Sequence, residues 1–354
     1  MARSWDVFCR VIDNHGDLGV AWRLCVDLAE RGQRVRLWVD DPSALAWMAP
    51  DGHAGVTIVH WTDPVPDLEP SDVVVETFGC DPPPRFVQRM AALDPAPRWV
   101  NLEYLSAEAY AERSHGLASP LNVAPGRVLT KRFYFPGFTP ASGGLLREPL
   151  LLEAQRSFDR DTWLAARGIA PQAGERVVSL FCYMNPALPA LLEELSAEPT
   201  LLLVTPGAPA VQVQALLGAS MRRGALRGAM LPYLAQKNYD HLLWACDLNL
   251  VRGEDSFVRA QWAARPFLWQ AYPQTDDAHA LKLQAFLERF LAGADASLGG
   301  TLRHALRVWN GIESGPLPLP DFQSWRAHCT AWRESLAAQP DLVTQLLEFT
   351  EETR

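Results

Sequence analysis

Charged and hydroxyl side chains lie close together in the stretch Val251–Trp262. Residues 252–256 read Arg-Gly-Glu-Asp-Ser, with an apolar run before them and apolar residues at helical spacing after them. This order predicts a strand, a tight turn and a helix that begins near Ser256, with Asp255 or Ser256 as N-cap. A helix amino end offers unpaired N–H groups and partial positive charge, and Arg252 adds a cation. The turn therefore suits a phosphate group.

A second polar loop, residues 13–19, reads Asp-Asn-His-Gly-Asp-Leu-Gly and precedes a predicted helix that runs to about Arg31. It lacks G-x-G-x-x-G, so the dinucleotide fingerprint is absent. Its carboxylates, Asp13 and Asp17, can point towards a ligand at the carboxyl end of the first strand, where glycines let the backbone approach that ligand. The alternative is that one of the two aspartates only caps the helix.

The elements that position these loops alternate between strand and helix in two successive blocks. Such alternation predicts an α/β fold with parallel sheets covered on both faces. Residues from about 114 to 150, rich in Gly, Pro and aromatics, are expected to be irregular, and the chain from Ala278 is expected to be helical. The predicted strands are Trp5–Ile12, Arg34–Val39, Val56–His60, Asp72–Phe78, Trp99–Leu102, Arg176–Tyr183, Thr200–Val204, Leu248–Val251 and Phe267–Trp269.

A chain of 354 residues is long enough for two domains. We expect two Rossmann-like, doubly wound domains at residues 1–172 and 173–337, and the last helix, 338–354, could pack back on the first domain. Two such domains with facing strand ends form a cleft. That is the GT-B plan of sugar-nucleotide glycosyltransferases, although other enzymes share it.

The bulk composition excludes several classes of protein. The 32 basic and 41 acidic residues give a net charge of −9, which argues against a nucleic-acid binder. Six scattered cysteines without a C-x-x-C pair predict buried free thiols in a reducing compartment. The eight histidines show no H-x-x-x-H pair, so no metal site is expected. No signal peptide or membrane span is apparent, and these features predict a cytoplasmic protein without a membrane partner.

The most distinctive segments are Phe8–Arg23, Asn101–Ser106, Phe135–Phe138 with Gly143–Glu148, and Asp247–Trp262. They closely resemble the bacterial protein-arginine rhamnosyltransferases that modify translation elongation factor P. The segments are long, and the resemblance covers nearly the whole chain. It implies a GT-B enzyme with dTDP-β-L-rhamnose as donor and an elongation factor P arginine as acceptor. It also implies transfer with inversion, without a metal or other cofactor.

The resemblance further implies roles for individual residues. Asp17 matches the proposed catalytic base, Asp13 is also needed for activity, and Gln236 and Tyr239 lie near the thymine. Glu254 would be repelled by a diphosphate, so we expect it to face sugar hydroxyls or the acceptor guanidinium as a third catalytic residue. The expected donor-binding residues are Asn14, Gly16, Phe181, Tyr183, Gln236, Tyr239, Arg252, Gly253, Asp255 and Ser256.

Two other functions are compatible with the residues alone. One is a different GT-B glycosyltransferase that acts on a lipid or a small molecule. The other is a non-catalytic regulator that binds a nucleotide sugar. The choice of thymidine over uridine in the donor depends on the resemblance and not on the physical properties of the sequence.

Overall fold

The computed structural model describes residues 2–12, 15–273 and 278–352. The chain forms two compact units, Met1–Glu148 with Ala337–Arg354, and Pro149–Leu336. The strands are β1 Ser4–Cys9, β2 Arg34–Val39, β3 Val56–His60, β4 Val73–Thr77, β5 Arg98–Leu102, β6 Ala118–Ala124, β7 Arg127–Tyr134, β8 Arg176–Leu180, β9 Thr200–Val204, β10 Arg222–Arg223, β11 Leu226–Met230, β12 Leu248–Arg252 and β13 Phe267–Gln270. The helices are α1 Gly16–Glu30, α2 Leu45–Met48, α3 Pro84–Ala92, α4 Ala109–Ser114, α5 Leu151–Arg156, α6 Arg160–Ala165, α7 Leu188–Leu195, α8 Ala208–Leu217, α9 Gln236–Ala245, α10 Asp255–Ala263, α11 Ala278–Phe290, α12 Ala296–Trp309, α13 Phe322–Ala337 and α14 Leu342–Glu352.

The first unit contains a seven-stranded sheet in the order β3-β2-β1-β4-β5-β7-β6. Its strand pairs are parallel except for the antiparallel pair β6 and β7. The order changes direction between β1 and β4, because β2 and β3 lie on one side of β1 and the later strands on the other. Doubly wound sheets bind ligands at this point, beyond the carboxyl ends of the strands. The loop that carries Asp17 leaves β1 there.

Both faces of the first sheet are buried, and alternate residues of β1 enter different cores. Trp5 and Val7 pack on one face with Leu24 of α1. Phe8 packs on the other face, where its ring stacks on Trp38 with 5.0 Å between centroids. A fully buried side chain of this size contributes about 1.5–3 kcal/mol. This burial on both sides explains why the strands read as continuous apolar runs.

The second unit contains a six-stranded sheet in the order β10-β11-β9-β8-β12-β13. Its strands are parallel except for the antiparallel pair β10 and β11. Here the order changes direction between β8 and β12. The N–H of Phe181, just after β8, donates to the carbonyl of Leu250 in β12 at 2.9 Å. The residues that follow these two strands are therefore neighbours at the switch point.

The stretch expected to be irregular, residues 114–150, contains the hairpin β6–β7, so that prediction is wrong for residues 118–134. Exposed and half-buried residues alternate along β6, as they do in a strand at the edge of a sheet. Pro120 lies in this edge strand, where a missing N–H is tolerated. The apolar run that marks the inner strands is therefore missing.

The boundary between the units lies at Glu148–Pro149 and not at residues 172–173 as the sequence suggested. Helix α6 belongs to the second unit because Trp163 and Leu164 pack in one cluster with Val177 and Leu201.

The C-terminal residues 337–354 belong to the first unit. Leu342 and Leu346 enter the cluster that covers α1, and the Tyr134 hydroxyl donates to the Leu342 carbonyl at 3.2 Å. The Arg31 guanidinium of the first unit also donates to the Asp341 carboxylate at 2.7 Å.

The six cysteines are free thiols; Cys80 is half-buried and the others are buried. Within the described ranges, none of the helices is long and apolar enough to cross a bilayer.

Acidification should destabilise the first unit through His115. Its Nδ1 accepts a hydrogen bond from the Phe135 N–H at 3.1 Å, and burial lowers the pKa of His115 below its usual 6.5. A half-buried histidine whose pKa is lowered contributes stability above the unfolded pKa, and this contribution is lost as pH falls below about 6.5. We expect His115→Asn, whose amide oxygen can still accept, to flatten the pH dependence of the unfolding free energy between about pH 7 and 5. Parallel urea titrations would check this, and identical slopes for variant and wild type would contradict it.

Candidate functional site

The first polar loop places Asp17 in the first turn of α1. The helix begins at Gly16, and its N-cap residue is His15, which makes no side-chain capping bond. The suggestion that Asp17 serves only as the cap is therefore wrong. Tyr104 donates its hydroxyl to Asp17 Oδ2 at 3.2 Å, and Asp17 is half-exposed. Asp13 and Asn14 lie outside the described residues.

Gly16 lies at an open position of this loop. A Cβ on Gly16 would meet no atom within 4 Å, so packing does not require a glycine there. Its predicted contact with the donor stays a prediction.

The second polar loop has the predicted order of strand, turn and helix, but its cap differs. Helix α10 begins at Asp255 and its N-cap residue is Glu254, without a side-chain capping bond, so the prediction of Asp255 or Ser256 as N-cap is wrong. The Ser256 hydroxyl does not cap the helix because it is bonded to the backbone of Arg252. It accepts from the Arg252 N–H at 3.0 Å and donates to the Arg252 carbonyl. Ser256 is buried and closes the turn. Its predicted contact with a diphosphate stays a prediction.

Gly253 forms the turn itself. Its φ of +62° lies in the left-handed region, and a Cβ there would lie 3.0 Å from the Tyr183 hydroxyl oxygen. Both conditions favour glycine. The Gly253 carbonyl accepts from Trp269 Nε1 at 2.8 Å, which fixes the turn against β13.

Arg252 is held by two aromatic rings. Its guanidinium carbon lies 4.4 Å from the ring centre of Phe181 and 4.3 Å from that of Tyr183. Burial lowers the pKa of Arg252. In residues 2–12, 15–273 and 278–352, no carboxylate oxygen lies within 4.0 Å of this guanidinium. The arrangement suits an anionic ligand at the amino end of α10, because cation–π contacts orient the guanidinium without neutralising it.

The strand end that carries these rings is fixed by two glutamines. Gln270 Oε1 accepts from the Tyr183 N–H at 2.8 Å, and Gln212 Nε2 donates to the Tyr183 carbonyl at 3.0 Å. Neither glutamine was predicted from the sequence. The signal for Gln270 was its position at the end of a buried strand, where a polar side chain needs a partner.

Helix α9 places Tyr239 beside Phe181, one of the two rings that contact Arg252. Its ring meets Phe181 edge-on with 5.6 Å between centroids. Its hydroxyl oxygen is buried and has no hydrogen-bond partner among the described residues. Leaving such a group unpaired costs about 1–3 kcal/mol, so it marks a position where a ligand's polar atom would be stabilised. Gln236, at the start of α9, is half-buried.

A buried ion pair joins α9 to α10. Arg259 Nε and one terminal nitrogen each donate to an Asp240 oxygen at 2.9 Å, and both side chains are nearly inaccessible to solvent. The pair fixes Tyr239 relative to the Arg252 turn. Nothing in the local spacing revealed it, because the partners lie on different helices.

Breaking this pair should destabilise the second unit strongly. Arg259→Leu leaves the Asp240 carboxylate buried without its guanidinium, and such a loss costs about 3–5 kcal/mol. Removing both charges in Asp240→Leu/Arg259→Leu should recover most of this cost. Urea unfolding of wild type, single and double variants would check the prediction, and equal destabilisation by the single and double variants would contradict it.

Two acidic residues, Glu254 and Asp255, stand half-buried at the start of α10. Their predicted roles towards sugar and ribose stay predictions. Within the described stretches, no three His, Cys, Asp or Glu side chains are grouped so that they could share a metal ion.

The two-sheet architecture with a loop site in each unit is that of GT-B glycosyltransferases, as the sequence analysis predicted. A Rickettsia africae glycosyltransferase has a TM-score of 0.51 at 8% identity, covering 99% of this chain and 98% of its own. Arabidopsis thaliana UGT89C1 complexed with UDP-L-rhamnose has a TM-score of 0.54 at 12% identity, covering 99% of both chains. At these identities the likeness shows the fold alone.

The chain belongs to the family described as Elongation-Factor P (EF-P) rhamnosyltransferase EarP, which matches residues 5–351. This confirms the resemblance inferred from the sequence. Protein-arginine rhamnosyltransferases of Pseudomonas aeruginosa and Pseudomonas putida are 44% and 41% identical, over 98% and 99% of both chains respectively. The structure described as the basis for EarP-mediated arginine glycosylation of translation elongation factor EF-P has a TM-score of 0.68 at 32% identity, covering 99% of this chain and all of that one. The chain is therefore an enzyme, a glycosyltransferase of this family.

Proposed function

We propose that the protein transfers L-rhamnose from dTDP-β-L-rhamnose to one arginine side chain of translation elongation factor P, with inversion at C1. The observation that carries the proposal is Arg252, which is held by Phe181 and Tyr183 without a carboxylate partner among the described residues. In a chain of this family, that cation is suited to the diphosphate of a sugar nucleotide. An acceptor that acts in translation implies that the enzyme works in the cytoplasm.

The donor would be bound by the second unit. Arg252 and the N–H groups at the start of α10 would bind the diphosphate and stabilise it as it leaves, without a metal or other cofactor. The unpaired Tyr239 hydroxyl and Gln236 would meet the thymine. Asp255 would accept a hydrogen bond from the ribose.

The acceptor arginine would be activated by the first unit. A guanidinium is protonated at any cellular pH and is a poor nucleophile. The Asp17 carboxylate would hold it in attack geometry and accept its proton as the nitrogen becomes more acidic. Asp13 would provide a second anchor, and Glu254 would face the sugar hydroxyls or the incoming guanidinium.

The step balances without a redox partner. A guanidinium nitrogen forms a bond to C1 of rhamnose while the bond from C1 to the diphosphate oxygen breaks, and its electron pair leaves with dTDP. The nitrogen's proton passes to Asp17 and then to water. The products are rhamnosyl-arginine, dTDP and a proton.

A transfer assay with purified elongation factor P and dTDP-β-L-rhamnose, read by intact mass, tests the proposal. We expect a gain of one deoxyhexose, which should disappear when the modified arginine is replaced by lysine. A UDP-sugar in place of the donor tests the choice of thymidine. Donor binding without any mass gain would favour another GT-B acceptor or a regulatory role instead.

A further inference from the structure

Three loops meet at the carboxyl edge of the first sheet. Asp17 follows β1, Phe78 follows β4 and Tyr104 follows β5, and these strands are neighbours in the order β1-β4-β5. This edge includes the switch point between β1 and β4, where a ligand is expected. Of these three residues, only Asp17 has a role in the proposed transfer.

Phe78 has an unusual backbone conformation. Its φ is +58°, in the left-handed region that side chains other than glycine adopt uncommonly. The Phe78 N–H donates to the Leu102 carbonyl at 2.7 Å, which ties the end of β4 to the end of β5. Backbone strain of this kind persists where the surrounding structure enforces it, and it is frequent at functional sites.

The Phe78 ring supports Tyr104. The two rings are stacked with 4.3 Å between centroids and 15° between planes, while Tyr104 remains 40% exposed. From this position the Tyr104 hydroxyl reaches Asp17 Oδ2 at 3.2 Å. A chain of contacts therefore runs from the strained end of β4, through two rings, to the carboxylate.

We infer that Tyr104 is a positioning residue for Asp17, and this inference rests on the proposed role of Asp17 in the transfer. A carboxylate at the start of a helix can rotate about its side-chain bonds. It must nevertheless present one oxygen to a guanidinium nitrogen along the line of attack. The hydrogen bond from Tyr104 fixes the plane of the carboxylate, and Phe78 fixes Tyr104.

A positioning residue should affect kcat and leave KM unchanged. Tyr104→Phe keeps the ring and its stack on Phe78 but removes the hydroxyl. We expect kcat to fall about 10-fold, because small misplacements of a catalytic group cost one to two orders of magnitude. The KM for elongation factor P and the affinity for dTDP-rhamnose should stay at wild-type values. Phe78→Leu, which keeps the hydroxyl but removes the ring beneath it, should lower kcat in the same direction.

Tyr110→Phe is the matched control. Tyr110 is another exposed tyrosine of the first unit, at 41%, and its ring contacts Phe135. We expect its kcat to be unchanged. Thermal unfolding of Tyr104→Phe and Tyr110→Phe should match the wild type, which separates positioning from a folding defect.

Two results would overturn the inference while leaving the proposed function intact. One is a wild-type kcat in Tyr104→Phe. The other is an unchanged kcat with a raised KM for elongation factor P, which would make Tyr104 only an acceptor contact. By contrast, failure of the wild-type enzyme itself to transfer rhamnose would disprove the proposed function.

Discussion

Replacing Asp17 with Asn should remove most rhamnose transfer and leave donor binding unchanged. The amide cannot accept the proton that the guanidinium loses, and a general base contributes about 10²–10⁴-fold to a rate. The residues proposed to bind the donor nucleotide and diphosphate at α9 and α10 belong to the second unit, whereas Asp17 belongs to the first. We therefore expect kcat to fall by about 10²–10⁴-fold, with an unchanged dissociation constant for dTDP-rhamnose by calorimetry.

Two further variants make this test specific. Asp41→Asn changes an exposed aspartate of the same unit that accepts from the Ser43 N–H in a local turn, and it should transfer normally. Glu254→Gln should lower transfer by a smaller factor than Asp17→Asn, because it affects sugar or acceptor contacts and not the proton. Loss of donor binding in Asp17→Asn would rule out the base assignment. Unchanged transfer in Glu254→Gln would rule out its assigned role.

Replacing Arg252 with Met should impair both donor binding and catalysis. The variant keeps an apolar side chain near Phe181 and Tyr183 but loses the charge that is proposed to stabilise the departing diphosphate. Removing one such stabilising group from an active site costs about 10²–10³-fold in kcat. We expect kcat to fall by that factor and the dissociation constant for dTDP to rise.

Arg252→Lys distinguishes charge from shape. Lysine keeps the charge but lacks the planar guanidinium that lies over the two rings, so we expect it to recover only part of the activity. Arg223→Met is the control, since Arg223 is an arginine of the same unit paired with the exposed Glu193 at 3.6 Å. Full activity in Arg252→Met would exclude Arg252 from the diphosphate site.

Most of the parallel strands of both sheets were predictable from the sequence. The inner strands Arg34–Val39 and Thr200–Val204 have the predicted bounds, and so does the edge strand Val56–His60. Strands packed between two layers of helices bury both faces, so they read as short apolar runs bounded by turn residues.

The antiparallel pair at one end of each sheet was not predictable in this way. The hairpin β6–β7 and the strands β10 and β11 were missed, because exposed positions interrupt their apolar pattern. The position of α5 and α6 in the second unit was also missed. For α6, the residues that share a cluster with Trp163 and Leu164, such as Val177 and Leu201, are not indicated by the local sequence pattern.

The site was predicted as two loops but not as a set of contacts. Spacing placed Arg252 and Asp17 at strand ends, and the family resemblance supplied their roles. The stack of Tyr104 on Phe78, the Asp240–Arg259 pair and the bond from the Tyr183 N–H to Gln270 come from tertiary structure. Each of these three contacts joins elements that become neighbours only in the folded chain. The spacing of residues along the sequence does not reveal them.

The first unit is completed by residues that follow the whole second unit along the chain. Leu342 and Leu346, 2% and 0% exposed, fill the cluster against α1, and the whole of Pro149–Leu336 is translated before them. Domains generally fold in the order in which they leave the ribosome. In this chain every residue of the second unit is synthesised before α14, which the core of the first unit includes. A nascent chain that stops before Leu342 would thus contain every residue of the second unit, whereas the first unit would expose the apolar surface that Leu342 and Leu346 cover.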